Sequence, residues 1–314
     1  MQGDDNTMKF LHYNDFHLSG MVPRHRTDDF PRTMIEKLGE CYSTAEALNC
    51  DFVTFGGDFF NTHRIFSYEI ISSAIDIIGG SRLKTYCCIG EHDLYGHSPD
   101  TYPTSTLAFF VRHCPNMNII REPIDLGGVV LHAKHEWENT YEAMKRPIDT
   151  SRVNILVCHE LITDKAAIFE VINTSSLKPC PYDLVVSGDL HCGFEPHEVG
   201  DTWFVNPGSL ARRALDDSFR WPQVAVINIE KGKMPDIEIR RLECAKAGDE
   251  VFGVGIAEIA LKKEEFNGTV FTEEMMDFEA ASVDIHELIQ KVGTKSGISK
   301  DVLSYLSTKR GQSL

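Results

Sequence analysis

No stretch of this sequence approaches the roughly 20 consecutive apolar residues of a membrane-crossing helix. The expectation is a protein that does not span a membrane. Paired cysteines are also missing: nine cysteines, an odd set without CxxC spacing, are scattered from Cys41 to Cys244 in a chain too large to need staples. Reduced, mostly structural thiols follow, with Cys87, Cys88 and Cys158 inside apolar runs as core residues. The segment Met1 to Thr7 lacks the positive start and apolar centre of a secretory signal, which points to the cytoplasm. Positive charge is scarce: 31 Lys and Arg against 47 Asp and Glu leave a net charge of −16. That balance argues against gripping a polyanion over a broad surface, so any nucleic-acid contact must be local or carried by metal.

What remains is an ordinary soluble composition, 42% hydrophobic and 25% charged over 314 residues, long enough for one large domain with a smaller appendage. Its elements alternate. Met8 to Asn14 reads as a strand, Asp29 to Leu48 as a helix closed by Asn49, Asp51 to Phe55 as a strand, Tyr68 to Ile78 as a helix and Leu83 to Ile89 as a strand. A helix near Thr106 to His113 and strands around Met117 to Ile120, Val129 to His132, Val153 to Cys158 and Asp183 to Ser187 continue the pattern. Trp203 to Val205, Gln223 to Ile229 and Asp236 to Leu242 are strand-like with short connections, which predicts an antiparallel sheet from the second half. The expected class is α/β: two packed β-sheets flanked by helices. Beyond Ala245 the composition turns acidic and helical. Ile285, Leu288, Ile289 and Val292 have amphipathic spacing, and Ser299 caps a helix through Leu306. The expected division is therefore 1–244 as the catalytic domain and 245–314 as a mostly helical segment that caps it or docks a partner.

The informative residues lie directly after strands, where an open sheet presents its ligands. Asp15-Phe16-His17 follows the first strand. Gly56-Gly57-Asp58-Phe59-Phe60-Asn61 follows the second, its glycines letting the backbone turn sharply. Gly90-Glu91-His92-Asp93 follows the third, His159 follows Val153 to Cys158, and Gly188-Asp189-Leu190-His191 follows Asp183 to Ser187. A single His after a strand is ordinarily a hydrogen-bonded structural residue, and a single Gly-Asp is ordinarily a turn. Five such loops in series are not chance. Two cations about 3.5 to 4 Å apart can clamp a phosphate, lower the pKa of a water and stabilise attacking and leaving oxygens. A positioned imidazole can protonate the leaving oxygen.

Other residues invite weaker readings. Asn61 is placed to bond phosphate or to orient His92, and Asp93 either charges His92 or caps its own loop. Phe59 and Phe60 read as core anchors, with nucleobase stacking as the alternative. His63, Arg64 and His97 share the same loops, Arg212 and Arg213 form a paired basic spot suited to phosphate, and Arg24, His25 and Arg26 form another. His12, His132 and His135 lie outside the series and are taken as structural.

The order of these motifs resembles the D-x-H, G-D-x-x-[DN], G-N-H-[DE], H, G-H-x-H ladder of calcineurin-like metallophosphoesterases, from about Lys9 to Arg213. The Gly-Gly-Asp-Phe-Phe run, the Gly-Glu-His-Asp-Leu run followed by His97, and Asn206-Pro207-Gly208-Ser209-Leu210 with Arg212 look most like SbcD-type DNA exonucleases, phage-encoded ones included. The resemblance implies a metallophosphoesterase fold. It implies a first metal on Asp15, His17, Asp58 and His191, a bridging Asp58, a second metal completed by Glu91, His159 and Asp189, and His92 beside the phosphate. Glu91 stands where the superfamily has Asn, and Asp189 where it has His. Two carboxylates make that second site harder and oxygen-rich, favouring manganese, or magnesium, over zinc.

Three functions follow. The first is a two-metal DNA exonuclease and endonuclease acting in DNA repair and recombination, with an SbcC-like coiled-coil ATPase as partner and a homodimer as a further option. The second is a small-molecule phosphodiesterase or nucleotide phosphatase on the same site, which the negative charge favours. The third is a scaffold that keeps the fold but has lost turnover through Glu91 and Asp189.

Overall fold

A computed structural model describes residues 7–165 and 171–252. The expected helices over 283–306 lie outside the described residues. All of the described residues belong to one compact unit. Residues 245–252, which the composition groups with the appendage, pack onto this unit: Ala245, Val251 and Phe252 are buried.

The strands are β1 (Met8–Tyr13), β2 (Phe52–Phe55), β3 (Thr85–Cys87), β4 (Met117–Ile119), β5 (Ile124–Asp125), β6 (Val129–Lys134) and β7 (Val153–Glu160). They continue with β8 (Ile162–Thr163), β9 (Ile172–Asn173), β10 (Leu184–Asp189), β11 (Phe194–Val199), β12 (Thr202–Asn206), β13 (Gln223–Ile229) and β14 (Asp236–Arg241). The helices are α1 (Phe30–Ala47), α2 (Tyr68–Gly80), α3 (Thr106–His113), α4 (Thr140–Ala143) and α5 (Gly248–Val251).

Two six-stranded sheets form, in the orders β14-β13-β1-β2-β3-β4 and β11-β12-β10-β7-β6-β5, besides a small β8-β9 pair. In the first, β1 to β4 are parallel. In the second, β6, β7, β10 and β12 are parallel, and only the edge strands β5 and β11 run the other way. This corrects the expectation of an antiparallel sheet from the second half. The antiparallel β13 and β14 exist, but β13 pairs with β1 and so extends the first sheet. Short connections mark a hairpin without saying which sheet it joins, and the edge strand β11 escaped detection because its residues are only partly buried.

Alternation along each strand explains the layers. On β1, Phe10 faces the second sheet with Phe52, Val157, Val186 and Ile227, while Leu11 and Tyr13 face α1 with Met34 and Leu38. Phe10 and Phe52 stack with centroids 4.9 Å apart. Cys158, Val185 and Phe204 cover the outer face of the second sheet. Strands buried on both faces read as continuous apolar runs, which is why they were easy to find. Helix α1 starts where the Asp29 carboxylate accepts Arg32 N, and stops at Asn49, whose φ of 55° ends the helical path. The cysteines are free. Among the described residues no helix is long and apolar enough to cross a membrane.

Candidate metal centre

The carboxyl ends of β1, β2 and β3 in one sheet meet those of β7 and β10 in the other, and every loop singled out in the sequence arrives there. Asp15, His17, Asp58 and Asp189 all adopt positive φ, at 49°, 44°, 58° and 74°. Such backbone is strained for residues other than glycine and persists only where the surroundings enforce it. Here tight crossings enforce it. A Cβ on Gly57 would stand 2.6 Å from His159 Nδ1, so only glycine lets the β2 loop pass the β7 imidazole.

Potential ligand atoms fall into overlapping groups: Asp15, His17 and His191; His17, Asp58 and His92; Asp15, Asp58 and His159. Asp58 stands between them. Its Oδ2 is 3.7 Å from His17 Nε2 and 4.0 Å from His92 Nε2, while its Oδ1 is 3.6 Å from His159 Nε2. Each oxygen thus faces a different set of imidazoles, the arrangement a bridging carboxylate needs. Oδ1 also accepts the main-chain N–H of His92 at 2.9 Å, which fixes the carboxylate.

His159 is fully buried and its Nδ1 bonds Gly56 O at 2.8 Å, so Nδ1 carries the proton. Its Nε2 is buried with no hydrogen-bond partner. A buried, unpaired ring nitrogen beside carboxylates, oriented by a main-chain carbonyl, is the signature of a metal ligand. Burial and the neighbouring His191, Arg213, His92 and His159 push His17 well below its usual pKa, and burial lowers His191 as well. Neutral imidazoles are the form that binds cations. The carboxylates are crowded: burial, then Asp93 and Asp15, push Asp58 well above its usual range, and burial with Asp15, Glu91 and Glu136 lifts Asp189 to about 7. Burial by itself pulls His159 down, yet Asp58, Asp15 and Asp189 outweigh it and hold it up to about 10. Packed negative charge of this kind calls for positive charge, and dications satisfy it. The donor set therefore fits divalent metal.

The expected ligands do not all arrive equally. Asp189 is outside the inner groups, and its main-chain N–H donates to both oxygens of Asp15 at 3.1 Å. Glu91 is outside the inner groups, in an outer cluster with His97 and Glu136. Its Oε1 is 3.4 Å from His92 Nε2. His92 itself is oriented by Asn61, through the main-chain carbonyl, which accepts from Nδ1 at 2.7 Å. The Nε2 edge is left facing Asp58 and the opening.

Other expectations are corrected by placement. Asp93 does not touch His92; its carboxylate is fully buried and accepts Gly90 N at 3.1 Å and Phe60 N at 3.3 Å, so it caps the loop. Arg212 is wholly buried and donates to the carbonyls of Lys246 and Arg220, so it serves the fold rather than an accessible phosphate. Arg213 does reach the site, with Nη1 3.4 Å from His17 Nδ1. Arg26 is buried against Asp28 and the Arg212 carbonyl. Phe59 and Phe60 are core residues packed with Phe110. His63 and Arg64 lie outward on the β2 loop, His63 against Tyr95. His12, His132 and His135 bond Thr54, Asn154 and Ile120 as structural residues.

Sequence reasoning missed Asn14 and the role of Asn206. Asn14 Nδ2 bonds Asp15 Oδ2 at 2.7 Å and Asn206 Oδ1 at 3.2 Å, and Ser209 Oγ donates to Asp15 O at 2.8 Å. The Asn206 to Ser209 turn thereby locks Asp15 to the second sheet. Its motif was visible, but the partner 192 residues away was not.

The family model for the calcineurin-like phosphoesterase superfamily domain matches residues 8–232. Among solved structures, a Thermus thermophilus protein is 13% identical at a TM-score of 0.48, covering 75% of this chain and 99% of its own. A dimetal phosphatase from Danio rerio is 8% identical at a TM-score of 0.48, covering 74% and 98%. A calcineurin-like phosphoesterase from Bacillus subtilis is 14% identical at 0.45, covering 75% and 90%. At these levels the likeness carries no argument about this chain. No curated protein matches the sequence.

Proposed function

We propose a function from one premise: this chain belongs to the calcineurin-like phosphoesterase superfamily, and is a metal-dependent phosphoester hydrolase. The finer reading is a two-metal phosphodiesterase that cuts DNA, like the SbcD-type exonucleases its motifs resemble, with an SbcC-like ATPase as partner. The observation that carries the chemistry is Asp58, whose two oxygens face different imidazole groups while the unpaired Nε2 of His159 points at one of them.

In this reading Asp15, His17, Asp58 and His191 would hold one cation, and Asp58, His159 and Asp189 would hold the other, with Glu91 as its further ligand. When bound, the two divalent cations supply Lewis-acid charge to the phosphate and lower the pKa of the attacking water. His92, held by the Asn61 carbonyl, offers Nε2 for proton transfer to the leaving oxygen. Glu91 Oε1 lies 3.4 Å from that nitrogen. Arg213 places a guanidinium beside His17, where a phosphate oxygen can meet it. The motifs Gly-Gly-Asp-Phe-Phe and Asn206 to Leu210 support DNA as substrate, and the net charge of −16 supports a small phosphodiester as the second reading.

Turnover of labelled linear DNA and of bis(4-nitrophenyl) phosphate, after chelation and readdition of single cations, separates these. Manganese should restore DNA cleavage better than zinc. His92→Ala should lower kcat by roughly 10²- to 10⁴-fold while metal content stays the same. Cleavage of the small diester with DNA left intact would replace the nuclease reading by the second. Turnover of neither would favour the scaffold.

A further inference from the structure

The two loops that deliver Asp58 and His92 continue outward and meet again at the rim. His63, two residues beyond Asn61, lays its imidazole against Tyr95, three residues beyond His92; the centroids are 5.0 Å apart and the planes inclined by 53°. Both main chains are pinned. Tyr95 N donates to Thr101 Oγ1 at 3.0 Å, and His63 O accepts Thr106 N at 2.7 Å. Yet the Tyr95 side chain remains 66% exposed, and Phe66 on the His63 segment is 79% exposed. Exposed Arg64 lies between His63 and Phe66. Folding alone does not call for large rings held on a fixed backbone in water.

Position limits what they can meet. Three residues span at most roughly 11 Å, so Tyr95 stays that close to His92 along the chain. An unpaired strand can extend beyond the about 3.4 Å per nucleotide of a duplex strand, so the rings stand within about three nucleotide steps of a phosphate held against His92. Aromatic faces with a neighbouring guanidinium are how proteins hold unpaired bases without reading their sequence. In a chain with net charge −16, such a local contact replaces the broad basic surface that is missing.

We infer that the His63–Tyr95 pair is a stacking platform for an unpaired nucleobase beside the scissile phosphate, so that the site selects base-bearing single strands over bare phosphodiesters. This rests on the DNA reading above. Stacking is sequence-tolerant, so the preference is for a base rather than for a particular base.

The test uses the full chain with manganese and two fluorescent strands of equal length, one of oligothymidylate and one with abasic sites flanking the cleavable linkage. The ratio of kcat/KM between the two should fall about tenfold in Tyr95→Ala, chiefly through KM, and stay near wild type in Tyr95→Phe. An unchanged ratio in Tyr95→Ala overturns the platform and leaves the nuclease reading standing. Wild-type protein that hydrolyses bis(4-nitrophenyl) phosphate but neither strand overturns the DNA reading, and the platform with it.

Discussion

Gly90→Ala is the substitution that most directly tests how the centre is built. The Gly90 position has no unusual φ, so alanine adds no backbone strain of its own. The difficulty is space. Its Cβ would lie 2.8 Å from Asp58 Cγ, against 3.4 Å for an ordinary contact, and closer still to Asp58 Oδ1 and N. The carboxylate must therefore move by more than half an ångström. It has no easy route, since Asp58 already sits at φ 58° and its Oδ1 is held by His92 N. Overpacking of this kind costs about 1–3 kcal/mol of stability. Misplacement on the scale of 0.5–1 Å at a reacting centre costs roughly 10- to 100-fold in rate. The assay is kcat on bis(4-nitrophenyl) phosphate with calorimetric metal titration, and the control is Gly39→Ala in α1, where a new Cβ meets nothing within 4 Å. The control should gain about 0.5–1 kcal/mol. A Gly90→Ala protein with kcat within twofold of wild type and unchanged metal affinity would refute the bridging role given to Asp58.

Two further predictions follow from the corrections. Burial lifts the Asp93 carboxyl to about 6 despite hydrogen bonds from Gly90 and Phe60. A carboxyl raised in the fold binds more protons folded than unfolded between about 4 and about 6, so its contribution to stability falls as pH rises through that window. In metal-free protein, the Tm advantage of wild type over Asp93→Asn should shrink from pH 4 to pH 7; an advantage that grows would refute the assignment. For the arginine pair, Arg212→Met should lower Tm by several degrees, from about 1–3 kcal/mol of lost bonding to buried carbonyls, with KM unchanged. Arg213→Ala should raise KM with little change in Tm, and the opposite pattern would exchange their roles.

Much of the centre was legible because metal ligation uses few residue types in short motifs after strands. Asp15, His17, Asp58, His159 and His191 all stand in such motifs, and their side chains fall into overlapping groups. Misreadings arose where the side chain's direction decided the matter. Asp93 and Arg212 carry the right charge at the right place in the chain, but one turns into its own loop and the other into the core. Nothing in a linear pattern separates a carboxylate aimed at a neighbouring imidazole from one aimed at the amides of Gly90 and Phe60.

The sequence by itself determined most of the elements, the family resemblance and the candidate donors, since these depend on local periodicity and on residue chemistry. Only the tertiary structure decided that the late β13–β14 hairpin joins the first sheet. It also decided that Asp58 faces two imidazole groups at once, that Asn14 ties Asp15 to Asn206, and that Glu91 sits with His97 and Glu136. Each of these is a contact between loops from different strands, set by how closely two sheets approach at Gly57 and Gly188. That approach is a property of packing in three dimensions, which no single segment encodes.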